Sequence, residues 1–154
     1  MSKQETLQIL NRLIHVCEDG RIDFANAARH ATLASLQTVF LGRSMDCGSA
    51  VVELRTLVAA LGGAASERGT LTGTIRRNWG VLKQALGDLN LAILEELEQE
   101  EAAAISAYQA ALAGALPESI RRVVQRQSEG AQHNHTVVRD LRDIYRHQIE
   151  EGAH

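Results

Sequence analysis

At 154 residues the chain has the length of one domain, enough to bury roughly two-thirds of the surface its unfolded form exposes. It is 45% hydrophobic but only 3% aromatic, with a single proline, a balance that favours helices and starves sheets. A formal charge of −3 with no Lys/Arg cluster argues against a nucleic-acid partner, and no apolar run reaches the length needed to span a bilayer.

The opening segment, MSKQETLQIL, has no basic region followed by an apolar run, so no secretory signal is expected and a cytoplasmic setting is the default. In chain order, Ser2 with Glu5 makes a capping-box start. Leu7, Leu10, Leu13, Ile14, Cys17, Phe24, Ala28 and Ala31 then recur at helical spacing, which predicts a first helix over about residues 3–30 with a weak point at Gly20. The second helix is predicted over about 32–61, carrying Leu36, Val39, Phe40, Ala50, Leu54, Leu57 and Leu61. Paired glycines in LGGAASERGT end it. A third begins near Thr70 with a stripe of Leu71, Ile75, Trp79, Leu82 and Leu86, is interrupted at GDLN, and resumes from Leu91 to about Leu112. The fourth starts at Pro117, a residue suited to the first helical position, and runs through Ile120, Val124, Ala131, Val138, Leu141, Tyr145 and Ile149. Four long amphipathic helices with short connections predict an all-α antiparallel four-helix bundle. It is expected to be one domain over residues 1–150, with 151–154 a frayed tail.

The segment ILEELEQEEAAAISAY holds five glutamates in seven positions. At about 100° per residue, Glu98 lies about 40° and Glu101 about −20° from Leu94, within the stripe of Leu97, Ile105, Tyr108 and Leu112. Glu95, Glu96 and Glu100 fall near 100°, 200° and 240°, a solvated face. On the second helix Glu53 lies about −40° from Leu57, again inside the stripe, and His135 borders the stripe of the fourth. A carboxylate in a core must be paired, protonated or metal-bound. Glu53, Glu98, Glu101 and His135 therefore form a candidate metal-ligand set, since bundle interiors rich in carboxylates are where two-metal centres are built. The spacing departs from the full di-iron pattern, which uses Glu-x-x-His on two helices: position 56 is Thr56 and position 132 is Gln132.

The segments CEDGRIDFANAA, ELRTLVAALGG, RRNWGVLKQAL, ILEELEQEEAAAISAYQAAL, LPESIRRVVQRQ and NHTVVRDLRD, in this order over about residues 5–145, resemble a bacterial family of small ferritin-like four-helix-bundle proteins of unassigned function. The resemblance implies a ferritin-like bundle whose core commonly holds a carboxylate-bridged metal pair, iron or manganese, and it matches the family's core residues to Glu53, Glu98, Glu101 and His135. Where the family pattern leads us to expect an acidic residue, just after the Asp-Gly pair, this chain has Arg21, and Asn26 also departs from it. Arg21 lies about −40° from Leu7 on the first helix's stripe. A guanidinium there would face the glutamates, neutralise them through bidentate bonds and repel a metal ion.

Two main readings follow, beside a weaker third in which the bundle is an adaptor that takes a partner helix in an exposed apolar groove. In one, the protein is a non-catalytic bundle with a core Glu/Arg ion-pair network and a structural role through self-association, with a dimer face drawing on Val16, Val137 and Ile144. In the other, it is a di-iron or di-manganese protein that oxidises iron or handles oxygen. Trp79 and Tyr108 read as packing anchors, with Tyr108 placed to hydrogen-bond a core glutamate. Cys17 and Cys47 have no metal spacing and read by default as reduced, structural thiols, with a disulfide between them left open by the sequence. No Ser-His-Asp or Cys-His arrangement, phosphate loop or nuclease signature is legible.

Overall fold

The computed structural model describes residues 1–65 and 88–152. Among them the chain is all-α, with four helices and no strand: α1 (Lys3–His30), α2 (Ala34–Ala60), α3 (Leu89–Ala113) and α4 (Glu118–Gly152). The stripe predicted over residues 70–86, with Trp79 in it, lies outside the described residues. No described helix is long and apolar enough to cross a membrane.

Each boundary has a local cause. Ser2 Oγ accepts the Glu5 N–H at 3.1 Å and starts α1, satisfying one of the donors a helix start leaves open. The helix passes through Gly20 without a break. Gly20 is buried, and a Cβ added there would stand 3.0 Å from Cys47 Sγ, so its missing side chain serves the approach of α2. Gly62 ends α2 with φ of 75°, a left-handed conformation that glycine adopts freely. The Gly63 N–H then returns to the Val58 carbonyl at 3.1 Å, as a glycine helix stop requires. Asp88, inside the predicted interruption, caps α3 by accepting the Leu91 N–H at 2.9 Å. The Pro117 carbonyl accepts from Ile120 and Arg121 and opens α4.

The helices pack as a bundle, α1 along α2 and α3 along α4, with α1 also meeting α3 and α2 meeting α4. The contacts run Leu7 with Gly63, Gly20 with Cys47 and Arg21 with Ser44 on one pair, and Glu95 with Arg146, Glu101 with Asn134 and Tyr108 with Gln127 on the other. The interior holds two apolar clusters. One gathers Leu10, Leu13, Ile14, Leu54, Val58, Val124 and their neighbours. The other gathers Phe24, Phe40, Leu36, Ile93, Leu94 and Val138, its Phe24 and Phe40 rings 6.4 Å apart. Each large apolar side chain so buried stabilises the fold by about 1.5–3 kcal/mol. The two clusters stop short of each other on every helix. The interval falls between Cys17 and Phe24 on α1, Phe40 and Ala50 on α2, Leu97 and Ala107 on α3, and Ala131 and Val138 on α4. Polar residues fill that layer.

Candidate functional site: a polar layer across the bundle

The centre of the layer is Glu101, whose side chain is 2% exposed. Arg43 of α2 grips it in two-pronged fashion: Nε donates to Oε1 at 2.6 Å and Nη2 to Oε2 at 3.1 Å. Asn134 of α4 adds a bond from Nδ2 to Oε1 at 3.2 Å. Paired donors matched to both carboxylate oxygens make the strong form of this interaction. Burial opposes the charge on Arg43, but its bonds to Glu101 together with the surrounding Cys47, Glu101 and Tyr108 outweigh it and hold the guanidinium protonated.

The other glutamates are placed differently. Glu98, half-buried at 22% exposure, binds Arg142 and stands 3.6 Å from His135. Glu53 is 36% exposed and is bound by Arg126, with Gln127 Nε2 donating to its Oε1 at 3.2 Å. The Arg126 bonds hold its carboxyl below the usual range. Among the described residues no group of three or more His, Cys, Asp or Glu is placed to hold a metal ion. Of the four expected ligands, only Glu98 and His135 stand together.

Arg21 requires a correction. It was expected to turn inward and meet the glutamates, but its side chain is 45% exposed and binds Glu18 one turn back on its own helix. Its stem lies over Gly48, where an added Cβ would sit 3.4 Å from Arg21 Cδ, and its head continues outward. The guanidinium that enters the layer is Arg43's, a residue the sequence reading passed over. The signal was available: Arg43 lies about 40° from Leu57 on the wheel used to place Glu53. Glu100 also departs from expectation. Assigned to the solvated face, it lines an internal cavity, and burial together with a hydrogen bond to Asp23 pushes its carboxyl up to about 10.

A second polar chain adjoins the first. Tyr108 Oη donates to Gln127 Oε1 at 3.0 Å and stands 3.1 Å from Cys17 Sγ, so the thiol donates to the phenol. Gln127 Nε2 reaches both the Ala50 carbonyl and Glu53. Tyr108 therefore bonds Cys17 and Gln127 where a core glutamate was expected. Both cysteines are buried and free. Burial pushes Cys17 up to about 11 and Cys47 up to about 12. Cavities of about 140 and 190 Å³ lie on either side of the partition formed by Cys17, Arg43, Cys47 and Tyr108.

Among the described residues, fold and layer together define an all-α arrangement of four helices whose interior is interrupted by a charged, hydrogen-bonded stratum. Residues 5–114 match a family described as a domain of unknown function (DUF2383), and the chain belongs to that family. No curated protein matches it. The matched span carries Cys17, Arg43, Cys47, Glu101 and Tyr108, whereas their α4 partners, Gln127 and Asn134 among them, lie beyond it.

Proposed function

We propose that this protein is an antiparallel, ferritin-like bundle without catalytic activity, in which arginine–glutamate pairs occupy the interior positions that a two-metal centre would use, and that it works as a structural unit through self-association. The observation that carries the reading is the two-pronged Arg43–Glu101 pair. Both oxygens of the most deeply buried glutamate among the described residues are engaged, and a fixed cation beside them repels a metal ion. Glu53 and Glu98 likewise face guanidiniums. This donor set does not fit a two-metal centre, and no step is assigned through one.

Self-association is supported by apolar side chains left on the outside: Leu41, Met45 and Val52 of α2 stand exposed, as does Ile144 of α4. Val16 and Val137 are half-buried and supply less of a dimer face.

Two measurements test the proposal. Elemental analysis of protein made in iron-supplemented medium, with anaerobic Fe(II) added in a thermal-shift assay, is expected to find no stoichiometric metal and no shift. One or two iron or manganese ions bound per chain would overturn it in favour of the metal reading, which the Glu98–His135 contact favours. Sedimentation is expected to find a dimer at micromolar concentration, and a strict monomer would remove the self-association.

A further inference from the structure

We propose that Cys17 and Cys47 form a peroxide-oxidisable dithiol that closes to a disulfide between α1 and α2. Nothing in the reading above requires this, and it stands on separate observations.

The first is proximity. Cys47 Sγ lies 3.0 Å, and its Cβ 3.9 Å, from the point a Cβ on Gly20 would occupy. Cys17 precedes Gly20 by three residues, and side chains so spaced on a helix hold their Cβ atoms about 5–6 Å apart on one face. The Cys47 thiol therefore rests within one turn of Cys17, across a helix contact that the absent Gly20 side chain brings close. A disulfide needs Cβ atoms about 3.5–4.5 Å apart, so closure requires α1 and α2 to bring the two Cβ atoms into that range across the Gly20 contact.

The second is room. Both cysteines line both cavities, of about 140 and 190 Å³. A water molecule takes about 30 Å³ of liquid volume, and hydrogen peroxide is only slightly larger, so either space admits it.

The third is the neighbouring charge. Arg43 faces both sulfurs and favours the thiolate at each. The thiolate is the reacting form. Burial holds both groups as thiols at neutral pH, which slows the reaction with oxidant.

The step balances. One thiolate attacks a peroxide oxygen and the O–O bond breaks, giving a sulfenic acid and, after proton transfer, water. The second sulfur attacks the sulfenic sulfur and expels the hydroxyl as a second water. Two thiols are oxidised to one disulfide while one peroxide is reduced to two waters. The bond withdraws the Cys17 hydrogen from Tyr108 Oη.

The test uses the folded, full-length chain with millimolar hydrogen peroxide over hours, followed by alkylation, intact mass and peptide mapping. The expected result is a chain lighter by two hydrogens, with no free thiol, a Cys17–Cys47 peptide pair, monomeric migration without reductant, and full reversal by dithiothreitol. C17S and C47S should each keep the remaining thiol from forming that pair. Persistence of both thiols in the folded chain while the denatured chain oxidises would overturn the proposal. So would addition of oxygen without loss of hydrogen, or bridges formed only between chains.

Discussion

Arg43 and Glu101, 58 residues apart in sequence, close on each other inside the bundle through bonds of 2.6 and 3.1 Å. They join α2 to α3 in the gap between the two apolar clusters. A buried pair of this kind is a weak source of net stability but a strong point of dependence, because either partner left alone is an uncompensated charge in a poorly solvated interior.

Arg43→Met should therefore destabilise the protein by about 3–5 kcal/mol. The double variant Arg43→Met with Glu101→Leu should recover most of that loss, since matched apolar replacement of a buried pair is close to neutral. Urea unfolding of the wild type, both single variants and the double closes the cycle. Additive losses would show that the two residues are not coupled.

Glu100 sets a pH dependence. Its folded carboxyl is raised from the ordinary 4.5 to about 10, through burial and the bond to Asp23, with Asp19 and Glu101 close by. The folded state thus holds a proton that the unfolded chain releases. The associated stability is fully present below about 4.5 and is lost progressively as pH rises toward 10. Glu100→Gln should flatten this decline and raise stability near pH 8 by on the order of 1 kcal/mol or more. Unfolding midpoints of the two proteins from pH 5 to 9 (about five points) check it, and parallel curves would refute the assignment.

Glu53 gives the opposite sign. The bond from Arg126 lowers its carboxyl, so its contribution is present above the ordinary carboxylate range and is lost as pH falls through the lowered value. The pair is open to solvent and its effect is small. The stability difference between wild type and Glu53→Gln should be measurable near pH 6 in low salt, and should shrink in acid and in high salt.

Gly20→Ala places a methyl 3.0 Å from Cys47 Sγ. Despite the better helix propensity of alanine, overpacking of this kind costs about 1–3 kcal/mol. Adding Cys47→Ala should restore stability, and thermal unfolding of the single and double variants reads the result.

Tyr108→Phe removes the donor to Gln127 and the acceptor for Cys17. Leaving both partners unpaired in the interior should destabilise by about 1–3 kcal/mol. A second substitution at Gln127 should then cost less than it does in the wild-type background, because its bond to Tyr108 is already gone while those to Ala50 and Glu53 remain. Equilibrium unfolding of the two single variants and the double tests this, and a fully additive second loss would separate the two residues.

The helices were legible because period, caps and stops agree. Ser2, Asp88 and the Gly62–Gly63 pair each act where their chemistry places them. Glu101 was legible too, since α3 has a clear stripe and Glu101 lies well inside it. The phase of α2 was not. With Leu41, Met45 and Val52 outside and Phe40, Val51 and Val58 inside, its apolar residues ring the helix and mark no single face. Taking Leu57 as the centre turned the wheel by about 80° from the buried side, which drew Glu53 inward. The phase of α1 does not account for Arg21, which lies about as far around the helix from the buried Cys17 and Phe24 as from Leu7. Long side chains add a further ambiguity, because the stem can lie on the core while the head leaves it.

The bonds radiating from Tyr108 and Gln127 take in all four rods: the sulfur of Cys17 from the first, the Ala50 carbonyl from the second, the phenol from the third and the amide from the fourth. No rod can swing away singly without stranding one of these groups in a dry environment. Loss of order should therefore be concerted, with slow-exchanging amides on all four rods released together in a single opening event.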